Sequence, residues 1–189
     1  MSIPSLRIAA LAAAGALALA LSACTPEAEP SPEPTPTASA APIFASDDEA
    51  LAAAVEAYEA YASMSGSIAS DGGDDAERID PYVTAEFAGN VGSEFDALRS
   101  AGGHTQGQTT FDTASLVERT EIDDIASVSI YLCRDVSGVR VIDADGIDVT
   151  PKDRLERIPS KAELVSKSTD EPSILVVDGI SQWSGSDFC

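Results

Sequence analysis

The residues able to do chemistry are few and dispersed. The chain has one histidine, His104, directly after Gly102-Gly103. An imidazole titrates near neutrality, so at a pocket mouth His104 would act as a general base. Beside two glycines it also suits a turn facing solvent, which is the preferred assignment. A serine hydrolase would need a nucleophile elbow, and no GxSxG motif occurs. Tyr58, Tyr61 and Tyr82 can offer phenol tips to a cavity, although aromatic residues at helical spacing more often fill a core. "DADG" at 143–146 alternates oxygen ligands as a calcium loop does, but lacks the third acid and the distal glutamate. A hairpin turn built on Asp-Gly accounts for it better, and "DGGDD" at 71–75 reads as a flexible loop. No metal or cofactor is expected.

These residues must be positioned by two different kinds of element. "SDDEALAAAVEAYEAYASMSG" opens with Ser46 and has Glu49 three positions on, the capping-box pattern. Leu51, Val55, Tyr58 and Ala62 then recur at helical spacing, which predicts a long amphipathic helix ending at Gly66. "AERIDPYVT" predicts a short helical piece interrupted at Pro81. A second helix is expected from Thr84, with Phe87, Val91, Phe95 and Leu98 on one face and Gly102-Gly103 as the stop. Beyond it the period changes. "TQGQTTF", "ASLVERTEI", "ASVSIYLCRDV", "VRVIDADGIDV", "RIPSKAELVSK" and "SILVVDGISQWSG" alternate or are rich in β-branched residues. On the strand around Cys133, Val128, Ile130 and Leu132 share one face, while Ser127, Ser129, Tyr131 and Cys133 share the other. Helices followed by strands argue for an α+β domain, helices packed on one face of a mainly antiparallel sheet.

The formal net charge is −21, and the acids are spread along the chain. Such a chain repels nucleic acid and anionic headgroups, so no nucleic-acid partner is expected. Calcium or a cationic ligand would be a functional use of this charge, but a solvated, soluble surface explains it more simply. No repeat period is visible.

The N-terminus has one cation, Arg7, and then the apolar run Ile8 to Leu21. Fourteen helical residues rise only about 21 Å, short of the roughly 30 Å of a hydrocarbon core. The run therefore reads as the apolar part of a signal peptide. Leu21-Ser22-Ala23 leads directly into Cys24, which resembles the lipobox of bacterial lipoproteins. That resemblance implies a diacylglycerol on the Cys24 sulfur, cleavage just before it, and attachment to the membrane without spanning it. Thr25 to Pro42 holds six prolines and three glutamates with no large apolar residue. It cannot offset its ordering entropy by burial, and as an extended tether it would reach about 55 Å. With Cys24 assigned to lipid, Cys133 and Cys189 remain as an even pair, and outside the cytoplasm a bridge between them is the default.

In a domain of this length, helices followed by a long antiparallel sheet resemble the NTF2-like superfamily of cone-shaped α+β folds. "YLCRDVSGVRVIDADGIDV" with a closing "WSGSDFC" is similar to a group of actinobacterial lipoproteins. That resemblance covers Ser46 to Cys189. It implies a Cys133–Cys189 disulfide, places Trp183 in the last strand, and implies a cavity between sheet and helices that Tyr58, Tyr61, Tyr82 and His104 would line. The expected organisation is a signal peptide at 1–23, the lipidated Cys24 with its Pro-rich tether at 24–42, and an NTF2-like domain at 43–189. The expected function is a non-catalytic binding or interaction module, anchored on the extracytoplasmic face of the cell membrane, for a small apolar ligand or an envelope protein. By analogy the sheets of two copies would pair as a homodimer. The alternatives are a dehydratase or isomerase using Tyr58, Asp80 or His104 in the cavity, and a structural envelope protein.

Overall fold

The structure is a computed structural model that describes residues 41–189. The signal peptide, Cys24 and nearly all of the tether lie outside the described residues. Chain entry into the domain is held by a polar clamp. The Glu121 carboxylate accepts the Ile43 and Phe44 backbone N–H groups at 2.8 and 3.3 Å. Arg119 donates to the Phe44 carbonyl at 2.9 Å and pairs with Asp47 at 2.8 Å. The Phe44 side chain, 2 % exposed, plugs the core beneath this clamp.

Helix α1 spans Asp47–Ser70. The Ser46 hydroxyl accepts the Glu49 N–H at 3.2 Å, and three acids in the first turn complement the helix dipole. The Glu49 carboxylate returns to the Ala45 N–H at 2.7 Å, one residue before the expected partner. Gly66 does not end the helix, which runs one further turn to a stop at Gly72-Gly73. A glycine in a helix interior lowers stability without breaking the helix, and Gly66 is overruled by the burial of Ile68 beyond it. The deepest row of α1 is Ala50, Ala54 and Tyr58, with Leu51 and Val55 half-buried beside it. Alanine at the contact line lets the helix lie close on the sheet.

The "DGGDD" segment is tightly specified rather than loose. Gly73 sits at φ +84° against the Phe95 carbonyl, where a Cβ would stand 2.2 Å from the oxygen. A 3-10 helix follows over Ala76–Tyr82 and contains Pro81 instead of being interrupted by it. Helix α2, Ala85–Ser100, is capped by the Thr84 hydroxyl, and Gly102 at φ +64° lets the chain turn off its end as expected.

Among the described residues six strands complete the α+β architecture: β1 His104–Gln106, β2 Thr110–Ile122, β3 Ile125–Asp135, β4 Arg140–Ile142, β5 Arg157–Ser166 and β6 Leu175–Gln182. One sheet runs in the order β2-β3-β5-β6, all antiparallel; β1 and β4 form a separate two-stranded ribbon. The alternation on β3 holds. Ala126, Val128, Ile130 and Leu132 face the helices and are buried, with Ala162, Leu164 and Val177 beside them. Strand β2 is kinked where its register slips between Asp112 and Ser115, and Thr113 takes a left-handed φ of 56° there. The last strand stops at Gln182, so Trp183 is not within it, although its N–H still reaches the Pro159 carbonyl at 2.8 Å.

Candidate ligand pocket

The tail after β6 returns over the outer face of the sheet. Cys133 and Cys189 stand at disulfide distance, Cα atoms 5.4 Å apart. Between them Tyr131 is sandwiched by aromatic rings, Trp183 at 4.7 Å and Phe188 at 5.5 Å between centroids. This arrangement explains how Cys133, on the face opposite the helices, becomes fully buried. Nearby, the Arg157 guanidinium grips Asp112 with both oxygens at 2.9 and 3.0 Å and Asp135 at 3.1 Å, tying three strands together at the sheet's end. Both carboxylates titrate below the usual range. For Asp112 the Thr113 hydroxyl is the leading cause and for Asp135 that of Ser137, with Arg157 adding to each.

The inner face ends differently. Continuing the β3 alternation one step past Leu132 brings Arg134 onto the helix side, where it is half-buried and opposite Phe111 of β2. There α1 supplies Tyr58, Tyr61 and Ser65, and the segment from β1 to β2 supplies Thr105, Gly107 and Thr109. Together they enclose a pocket of about 110 Å³. It adjoins a wider groove of about 430 Å³ between α1 and the start of β2, with Ala62, Gly66, Gly107 and Thr109 on the shared border. Gly107 is required by its backbone: at φ +88° a Cβ would meet the Gly138 carbonyl at 2.0 Å.

Tyr58 is 1 % exposed, edge-on to Phe111 with centroids 4.9 Å apart, and tilted on Tyr61 at 5.9 Å. Among the described residues no buried side-chain nitrogen or oxygen lacks a partner, and Tyr58 and Tyr61 both line the pocket. Burial pushes the Tyr58 phenol up to about 12, with the Arg134 charge pulling the other way. The Tyr61 phenol is raised as well, by burial first, again opposed by Arg134. Both phenols are donors at neutral pH.

The other expected lining residues lie elsewhere. Tyr82 borders a cleft on another side of α1 with Ala53, Pro81, Lys167 and Leu175. His104 borders an open cleft with Asp71, Asp74 and Arg99, its ring nitrogen 3.4 Å from the Gln106 amide. Asp80 is exposed on the 3-10 helix. Of Tyr58, Asp80 and His104, the alternatives for an acid-base enzyme, the structure places Tyr58 at this pocket and the other two on separate surfaces. The DADG turn uses its acid internally: the Asp143 carboxylate accepts the N–H groups of Asp145 and Ile147 at 3.0 and 2.8 Å. Among the described residues no three His, Cys, Asp or Glu side chains are grouped to hold a metal, and no helix is long and apolar enough to cross a membrane.

Arg134 is the pocket residue that belongs to no motif. Its signal is present in the sequence, because positions 126, 128, 130 and 132 are apolar and position 134 continues the same face with a charge. No protein-family model matches the chain, and no curated protein matches it.

Proposed function

We propose that the chain is a bacterial lipoprotein, held by lipid on Cys24 to the outer side of the cell membrane. Its domain, an NTF2-like cone in this reading, is a non-catalytic binding module for a small molecule. The observation that carries the binding assignment is the pocket closed by Tyr58, Tyr61 and Arg134. It is concave, partly apolar, and supplied with a few convergent polar groups, the form of a ligand site. Its phenols and guanidinium suit an occupant with a polar end on an otherwise apolar body. The lipid assignment rests on the apolar run, the Leu-Ser-Ala-Cys boundary and the Pro-rich tether that follows.

Ala62 borders both the pocket and the groove, so Ala62→Phe fills them while leaving the sheet untouched. A thermal-shift screen of small amphipathic molecules against the full chain in detergent should find compounds that stabilise wild type and not Ala62→Phe. Stabilisation of both proteins alike by every active compound would refute binding at this pocket.

A further inference from the structure

The chain carries 32 acids against 11 lysines and arginines, yet the pocket beside Arg134 is lined by no carboxylate at all. Every other described arginine is engaged. Arg78, Arg99, Arg119, Arg140 and Arg157 each pair with an aspartate, and Arg154 donates to the Val136 and Val139 carbonyls. Among the described residues Arg134 is the arginine with neither kind of partner. Arg134 is half-buried at the end of an apolar sheet face, where an acceptor group would offset any hydration its guanidinium gives up. In an acidic protein, a pocket wall free of carboxylates that keeps an unpaired guanidinium beside two phenols suits negative charge, Glu59 lining only the adjoining groove.

From this we infer that the pocket binds the carboxylate of a small organic monoanion. Arg134 is its counter-charge, the Tyr58 and Tyr61 hydroxyls donate to it, and the body of the molecule lies in the adjoining groove toward Phe111. This assignment rests on the binding reading above and names its ligand class. The planar guanidinium fork matches a planar carboxylate, and one cation matches one charge. A net charge of −21 opposes a polyanion. The pocket, with room for a few waters, takes a head group, while the groove is the larger space.

Benzoate and its neutral ester methyl benzoate, titrated into the full chain in detergent, test the assignment. NMR would follow the amides of Thr105, Gly107 and Thr109 and the side-chain Nε–H of Arg134. Benzoate should give saturable shifts at these positions and methyl benzoate none. Arg134→Gln should bind benzoate about tenfold more weakly or worse, with partial recovery in Arg134→Lys. Equal binding of ester and acid, or wild-type affinity in Arg134→Gln, would overturn the carboxylate assignment and leave the pocket as a binding site. Absence of saturable shifts with either compound would overturn both. If Arg134→Gln does not fold, the comparison of acid and ester on wild type decides alone.

Discussion

The Cα atoms of Cys133, on a central strand, and Cys189 stand 5.4 Å apart although 56 residues separate them in sequence. A covalent bridge there closes a long loop and should stabilise the domain by about 3 to 4 kcal/mol through the unfolded state. Cys133→Ala should therefore lower the melting temperature by on the order of 10 °C. Calorimetry of the oxidised wild type beside the variant checks this; identical melting temperatures would mean that the two thiols are not joined.

Trp183, the one tryptophan of the chain, packs on Tyr131 within the aromatic sandwich that the tail completes. Reduction should free the end of the tail and expose the indole. Tryptophan emission should then shift to longer wavelength while far-ultraviolet circular dichroism stays constant. An emission maximum unchanged after complete reduction would show that Trp183 is held independently of Cys189.

Tyr58 supplies a pH dependence whose sign follows from its burial. Its folded phenol titrates at about 12 against 10.0 for the exposed group, so the folded state holds the proton more tightly than the unfolded state. The favourable contribution is complete below pH 10 and is lost as pH rises from 10 to about 12. Tyr58→Phe, which keeps the aromatic packing, should leave stability at pH 7 nearly unchanged and make the alkaline decline shallower. Denaturant melts across that pH range would reveal it, and an equally steep decline in the variant would assign the effect to other groups.

Much of the fold was legible because local signals agreed with the tertiary outcome. Ser46 caps α1 where the capping-box spacing suggested and the second helix begins beside Thr84, and the alternation from Ala126 to Leu132 sorted β3 into an inner and an outer face. What was not legible depended on distant partners. Gly66 could not reveal that Ile68 would be buried and carry the helix onward. Gly73 is specified by the Phe95 carbonyl, which is remote in sequence. Tyr58 and Tyr61 do line the pocket, but the charge beside them comes from Arg134, whose place is visible only when the apolar alternation of β3 is continued past Leu132. Tyr82 and His104, which the resemblance set in the same cavity, border other clefts.

The glycines give a paired test of backbone against space. Gly66 lies inside α1 with nothing within 4 Å of a built Cβ, so Gly66→Ala should stabilise by about 0.5 to 1 kcal/mol. Gly73→Ala should destabilise by more than that, since its backbone is left-handed and its Cβ would collide with a carbonyl. Urea melts separate the two; a stabilised Gly73→Ala would mean that the turn joining α1 to the helices after it is built differently.

Cys24 carries the assignment to the membrane. Cys24→Ala should leave the protein in the soluble extracytoplasmic fraction or as uncleaved precursor, without incorporated fatty acid, while wild type sediments with membranes and incorporates labelled palmitate. Label in the variant at the wild-type level would remove Cys24 as the lipid attachment point.

The space between α1 and the sheet should be an occupied binding site. Native mass spectrometry of the full chain, expressed in a bacterial host that processes lipoproteins and released gently from detergent, tests it most directly and reports monomer or dimer in the same spectrum. Wild type should retain a small molecule that is absent from Ala62→Phe. A wild-type mass explained entirely by protein and lipid, or an adduct equally present on Ala62→Phe, would contradict it.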